Sequence, residues 1–143
     1  MDERLVDELY NLGATVVVKV NSFDPNVQDS LAGRERYTVR RDEGLRLLLE
    51  RGFAQEGGGY QTRLGIDSVI CQRNKNEILD ILRYCRRNNI MPLIKTFIPA
   101  GRTKDRNDLE VSQQDFLELS QEARRIDQEE FSIVYSRLTP YLG

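Results

Sequence analysis

The feature that most constrains the fold is an alternation of two hydrophobic periods along the chain. Three runs rich in β-branched residues are typical of buried strands: TVVVKV at 15–20, RLGIDSVIC at 63–71 and MPLIKTFI at 91–98. In the segments around them, apolar residues recur every three or four positions, as on one face of a helix. Strands that alternate with helices pair in parallel through right-handed crossovers. The sequence therefore predicts an α/β fold with about three parallel strands.

Cap residues place the first two helices. The first is predicted over residues 2–12, and the second over 42–52 with Asp42 as its N-cap. Between the first strand and the second helix, a turn at Asp24-Pro25 and a short polar segment are expected.

The last two helices also have start signals. Asn74 and Glu77 have the spacing of a capping box, in which the two side chains satisfy each other's backbone amides. Ser112 is the expected cap of the last helix. The inward face of that helix is predicted to comprise Phe116, Leu119, Ala123 and Ile126.

Composition argues against several classes of function. The net charge of −2 provides no general basic surface, so no nucleic-acid partner is expected. No apolar run approaches the roughly 20 residues of a membrane span, and no signal peptide opens the chain. We therefore expect no membrane partner and a cytoplasmic location.

Cys71 and Cys85 have neither a disulfide nor a metal-ligand spacing, and the chain has no histidine. GGG at 57–59 precedes a strand, so it is interpreted as a loop rather than a phosphate site.

Polar side chains lie near the carboxyl end of each predicted strand, where parallel α/β proteins bind ligands. These residues are Lys19, Asn21 and Ser22, then Asp67 and Ser68, then Lys95 and Thr96. Lys19 and Lys95 interrupt apolar strands, and burying an ammonium group is costly unless it meets an anion. For any one of these residues, contact to water or to the next helix is the commoner role, but the combined pattern predicts a binding site.

Four stretches carry a resemblance to a known family. They are VVVKVNSFDPNVQDSLAG, GLRLLLERGF, TRLGIDSVICQRNKNEI and MPLIKTFIPAGR. Together they resemble the second half of a radical S-adenosylmethionine (radical SAM) barrel, closest to the subgroup with a C-terminal SPASM or twitch extension. The resemblance rests on the K-x-N-S strand end, the N-x-x-E-I helix start and the P-x-G-R segment.

The resemblance implies a partial (β/α) barrel fragment. Residues 1–130 would be the C-terminal half of the barrel, and 131–143 a tail leading toward a missing extension. The parent would be an enzyme that uses S-adenosylmethionine and a [4Fe–4S] cluster. The Cys-x3-Cys-x2-Cys loop that binds this cluster is absent from the sequence. The chain is therefore expected to be inactive alone, to bind no cofactor or metal tightly, and to need the missing N-terminal half-barrel as partner. The substrate is expected to be a small molecule or a peptide.

The resemblance also assigns candidate cofactor contacts on the first strand. Lys19 would contact the carboxylate and ribose of S-adenosylmethionine, because an ammonium group makes a charge-assisted hydrogen bond to a carboxylate. Ser22 would contact ribose hydroxyls, to which it can both donate and accept. Arg34 is a further candidate for the carboxylate.

Further candidates lie on the other two strands. Asp67 stands where the family often has an asparagine that faces the cofactor. Phe97, Ile98 and Pro99 match positions that hold the adenine, mainly through backbone groups and apolar side chains.

Two other functions stay open. The chain can be a fragment of a non-radical (β/α) barrel enzyme that binds a phosphorylated substrate, with PAGR at 99–102 as the phosphate loop. It can also be a non-catalytic interaction module, whose helix at 112–131 lies on a partner. A Cys-x3-Cys-x2-Cys motif encoded upstream in the same reading frame would favour the radical SAM interpretation.

Overall fold

The computed structural model describes residues 1–55 and 62–133, which form one open sheet of three parallel strands alternating with helices. The elements are α1 (Glu3–Asn11), β1 (Val16–Lys19), α2 (Pro25–Ala32), α3 (Tyr37–Arg51), β2 (Leu64–Ile70), α4 (Ile78–Arg87), β3 (Met91–Thr96) and α5 (Gln113–Phe131). This confirms the predicted fold class and is consistent with a fragment of a (β/α) barrel. The loop predicted at 57–59 and most of the tail predicted at 131–143 lie outside the described residues.

The strands are ordered β1-β2-β3, with β2 in the centre. Lys19 lies opposite Asp67, and Val69 lies opposite Lys95. Because side chains alternate between the two faces of a strand, Lys19, Asp67, Val69 and Lys95 all project from the same face. The register thus brings polar side chains of all three strands together.

The two faces of the sheet differ in burial. On one, the covered face, Leu64, Ile66 and Ile70 are buried in the main hydrophobic core. Helices α3 and α4 contact the strands directly, while α1 packs on α3 and α5 packs on α4. On the other, the open face, Val17 is 47% exposed and Met91 is also exposed. The open face is therefore the side of the sheet that a ligand or another part of a protein can reach.

Helix α3 begins earlier than the sequence predicts. It starts at Tyr37, so Asp42 lies inside the helix and the prediction that it is the N-cap is wrong. The residue before the helix, Arg36, provides no side-chain cap. Instead, the backbone N–H and the hydroxyl of Thr38 both donate to Asp29 of α2, at 2.8 and 2.6 Å. A carboxylate from the preceding helix thus replaces a local cap.

The segment predicted as a turn and a polar stretch forms helix α2. The Asp24 carboxylate accepts hydrogen bonds from the N–H groups of Asn26 and Val27, and Pro25 occupies the first helical turn. Gly33, with φ of +64°, ends the helix in the left-handed conformation that glycine adopts without strain. These are standard helix start and stop signals on a short segment.

The start of α4 also differs from the prediction. The helix begins at Ile78, and Glu77 precedes it without a side-chain cap. The predicted capping box of Asn74 and Glu77 is wrong, because both side chains bind the end of β1 or β2 instead.

The start of α5 is as predicted. Ser112 accepts a hydrogen bond from the Asp115 N–H at 3.0 Å. The predicted inward face is also confirmed, since Ala123 and Ile126 are buried and Phe116 and Leu119 pack against the core. No helix within the described ranges is long and apolar enough to cross a bilayer.

Candidate functional site

Lys19, Asp67 and Lys95 form an ion-pair array on the open face. The Lys19 ammonium lies 2.9 Å from Asp67 Oδ2, and the Lys95 ammonium lies 3.1 Å from Asp67 Oδ1. The side chains are 36% exposed for Lys19, 24% for Asp67 and 56% for Lys95. We call these three residues the lysine–aspartate array. Because two cations share one carboxylate, the array has an excess positive charge that solvent can reach.

Asp67 is held ionised by its neighbours. Its partial burial alone would raise the pKa of the carboxyl group, but hydrogen bonds and charge from Lys19 and Lys95 outweigh burial and lower the pKa. The carboxylate therefore keeps its charge at neutral pH and holds both lysines in place. At neutral pH, Asp67 is suited to accept hydrogen bonds and not to act as a proton donor.

A second polar cluster lies at the same end of the sheet but is mostly buried. Gln28 of α2 accepts hydrogen bonds through Oε1 from the backbone N–H groups of Asn21 and Ser22, at 2.7 and 3.1 Å. The Ser22 hydroxyl donates to the Glu77 carboxylate at 2.8 Å, and the same carboxylate accepts from the Phe23 N–H at 3.0 Å. Glu77 thus ties the chain that follows β1 to the start of α4.

Asn74 joins the ends of the first two strands. Its amide nitrogen donates to the carbonyls of Asn21 and Val69, at 2.7 and 2.8 Å. Its amide oxygen accepts from the Cys71 N–H at 2.7 Å. We call this cluster the strand-end network; it comprises Asn21, Ser22, Gln28, Asn74 and Glu77. The network fixes the loops at the carboxyl ends of β1 and β2.

The sequence-predicted contacts on β1 and β2 divide between these two clusters. Lys19 and Asp67 bind each other in the array, where both are partly exposed. Ser22 is fully buried, so its predicted ribose contact stays a prediction that requires Glu77 to release the hydroxyl. Arg34 is exposed and lies beside β1, at a cavity described below.

The three candidates after β3 occupy different environments. Phe97 and Pro99 are half-buried, whereas Ile98 is 74% exposed. The Phe97 N–H donates to the Ile70 carbonyl at 2.9 Å, so this backbone group extends the pairing with β2. Lys95 also joins the site. The sequence placed it among the strand-end polar residues but assigned it no cofactor contact. The signal that identifies Lys95 is that it interrupts an apolar strand and projects from the same face as Asp67.

A cavity of about 390 Å³ lies along the outer edge of β1. Its walls are mostly apolar near the start of the strand and cationic near its end. Its lining residues are Met1, Val16, Val17, Val18, Lys19, Arg34, Tyr37, Arg40, Arg41, Gly44 and Leu45. The buried Arg41 donates through Nη1 to the Ser22 carbonyl at 3.1 Å, which joins the cavity wall to the strand-end network.

The described residues do not fit an iron–sulfur cluster. Within 1–55 and 62–133, no three His, Cys, Asp or Glu side chains converge as metal ligands. Cys71 and Cys85 are both buried, and burial raises the pKa of the Cys85 thiol to about 12, which disfavours the thiolate that binds iron.

Comparison with known proteins gives no family for this chain. No family model matches it, and no curated protein or solved structure matches it either. The radical SAM interpretation therefore rests on the sequence resemblance alone.

Proposed function

We propose that the chain is part of a radical SAM enzyme of the SPASM or twitch type and contributes part of the S-adenosylmethionine and substrate pocket. The observation that supports this most is the lysine–aspartate array on the open face of three parallel strands. Its excess positive charge suits a ligand carboxylate, and its position toward the strand ends is where α/β proteins bind ligands.

In this proposal Lys19 holds the methionine carboxylate of the cofactor. Lys95 keeps Asp67 paired when the Lys19 ammonium turns to the ligand, so no carboxylate is left without a cation. Arg34 is the second candidate for the same carboxylate. The exposed side chain of Ile98, with Phe97 and Pro99, offers apolar surface for the adenine.

The cofactor, with its cluster, supplies the radical chemistry, and this chain orients the cofactor and excludes water. In this proposal the cluster and its cysteine ligands belong to an N-terminal half-barrel, with which the chain assembles. We propose a cytoplasmic location, a small-molecule or peptide substrate, and no activity of the chain alone.

A second candidate is a non-radical (β/α) barrel enzyme that binds a phosphorylated substrate. The array favours it to the same extent, since two partly exposed ammonium groups also suit a phosphate. The two candidates differ in the ligand that the array prefers.

The test is isothermal titration of S-adenosylmethionine into the cluster-loaded full-length parent. Lys19→Met keeps most of the side-chain volume and removes the charge. It should weaken binding tenfold to a hundredfold, about 1.5–3 kcal/mol, which is the size of a charged hydrogen bond. Cluster content should not change. Lys104→Met, at an exposed residue outside the array, is the matched control and should leave binding unchanged.

Other results would redirect the proposal. Unchanged affinity of Lys19→Met would transfer the carboxylate role to Arg34. Binding of inorganic phosphate, with no binding of S-adenosylmethionine, would contradict the radical SAM proposal in favour of the second candidate.

A further inference from the structure

The outer edge of β1 has unpaired backbone groups. The Val16 N–H donates to the carbonyl of Arg63, just before β2, and the Val20 N–H donates to the carbonyl of Asp67 in β2. Because successive backbone groups in a strand point to opposite sides, the N–H and C=O groups of Val17 and Lys19 point away from β2. Among the described residues, only the Lys19 carbonyl has a partner there, the Tyr37 hydroxyl at 3.3 Å. Such an edge can accept another strand.

The cavity beside this edge provides space for side chains of an added strand. Its apolar part is formed by Val16 and Val17 of β1, by Leu45 of α3 and by Met1. Val17 is exposed, as is Met1. A volume of about 390 Å³ is ample for an aliphatic side chain. An added strand would thus bury apolar surface in addition to pairing its backbone.

The other part of the cavity is positively charged. Lys19, Arg34 and Arg40 line it, and none of the described lining residues is an aspartate or glutamate. Within the described parts of the chain, the guanidinium groups of Arg34 and Arg40 make no ion pair, whereas Arg46 and Arg125 each pair with two glutamates. Unpaired arginines beside an unpaired strand edge favour a negatively charged side chain on the segment that binds there.

We propose that the β1 edge and this cavity form a docking site for an extended segment of a partner polypeptide. The segment adds to β1 as a strand, places an apolar side chain in the cavity, and places an acidic side chain against Arg34 and Arg40. A second copy of this chain is a poor occupant, because its own β1 edge would bring the same cations into contact. The inference rests on the proposed function only for the source of the segment, which is then the missing half-barrel.

The test is an NMR titration of the isotope-labelled chain with a synthetic peptide of alternating threonine and valine that ends in glutamate. We expect saturable shifts of the Val17 and Lys19 amide signals. A peptide methylated on its backbone nitrogens cannot pair and should produce no such shifts. A peptide with glutamine in place of glutamate should bind about fivefold to tenfold more weakly, since it loses one charged contact.

A charge reversal tests the cationic part. Arg40→Glu should weaken binding of the glutamate peptide and strengthen binding of a lysine peptide, and it should leave folding intact because Arg40 is exposed. Lys104→Glu makes the same change of charge away from the cavity. It should change the binding of neither the glutamate peptide nor the lysine peptide. Absence of saturable shifts at Val17 and Lys19, or equal affinity for the glutamate and glutamine peptides, would overturn the proposal. Shifts that grow with protein concentration alone would instead indicate a second copy and overturn it as well.

This result and the cofactor result are separable. Peptide binding without S-adenosylmethionine binding would leave the docking site standing and contradict the proposed function. Cofactor binding without a peptide response at β1 would contradict the docking site and leave the proposed function standing.

Discussion

The strand-end network and the lysine–aspartate array lie at the same end of the same sheet, yet the two clusters differ in what their side chains can do. In the network, Asn21, Ser22, Gln28 and Asn74 are all buried and bonded to backbone or to one another. In the array, both lysines keep part of their surface exposed and share one carboxylate. The buried polar residues of the network fix the loops, whereas those on the open face remain accessible to a ligand.

The exposure of the array follows from the two-residue period of a strand. Lys19 and Val20 are neighbours, but Val20 is buried on the covered face and Lys19 lies on the open one. A polar residue near a strand end is therefore a better candidate for ligand binding when its strand neighbours point into the core.

The largest expected effect tests the two faces directly. Ile66→Ala, on the covered face, should lower the free energy of unfolding by about 3–4 kcal/mol, because it leaves a cavity in the core. Val17→Ala, on the open face, should cost less than about 1 kcal/mol, because Val17 is already half exposed. Urea unfolding followed by circular dichroism measures both. Equal losses would mean that the open face is covered in solution.

The second prediction concerns the strand-end network. Asn74→Ala removes three hydrogen bonds and leaves backbone groups at the carboxyl ends of β1 and β2 without these partners. We expect a loss of about 2–3 kcal/mol in unfolding free energy. Asn76→Ala, at an exposed position on the same turn, should change it by no more than about 0.5 kcal/mol. A similar loss for both variants would contradict the structural role of Asn74.

The sequence predicted the elements better than the contacts between them. All three strands lie within their predicted ranges, because apolar β-branched runs are a local signal. The early start of α3 could not be predicted, since it depends on the pairing of Asp29 with Thr38. Asn74 and Glu77 had the local spacing of a capping box, but the end of β1 supplied partners that the sequence pattern does not contain.

The candidate site shows the same limit. Lys19 and Asp67 were predicted to face one site, and the strand register brings them opposite each other. The burial of Ser22 was not predictable, because it depends on α2, which was interpreted as a turn and a polar segment, and on Glu77, which was assigned to a helix cap.

The third prediction isolates the bond between Ser22 and Glu77. Glu77→Gln keeps the size of the side chain and removes the charge that both Ser22 and Phe23 bind. It should cost about 1–2 kcal/mol of unfolding free energy. A double-mutant cycle with Ser22→Ala should show coupling, since one change weakens and the other removes the same bond. Additive losses would show that the two side chains do not interact in solution.

The smallest expected effect is the contribution of Asp67 to the pH dependence of the unfolding free energy. Lys19 and Lys95 lower the pKa of this carboxyl group in the folded chain, so the unfolded chain binds a proton more readily. The stabilisation is therefore fully present above the ordinary aspartate pKa of about 3.9 and is lost as the pH falls through the lower folded value. Because the lysines are partly exposed, we expect this stabilisation to be only about 0.5–1 kcal/mol at neutral pH.

The measurement is the difference in unfolding free energy between the unmodified chain and Asp67→Asn, from about pH 7 to about pH 2.5. This difference should shrink as the pH falls. Asp105→Asn, at an exposed aspartate without an ion pair among the described residues, is the control for the loss of one negative charge at neutral pH. A difference that stays constant over this range would show that Asp67 is not held by its lysines, and the open face would then lack the charged array that distinguishes it from the strand-end network.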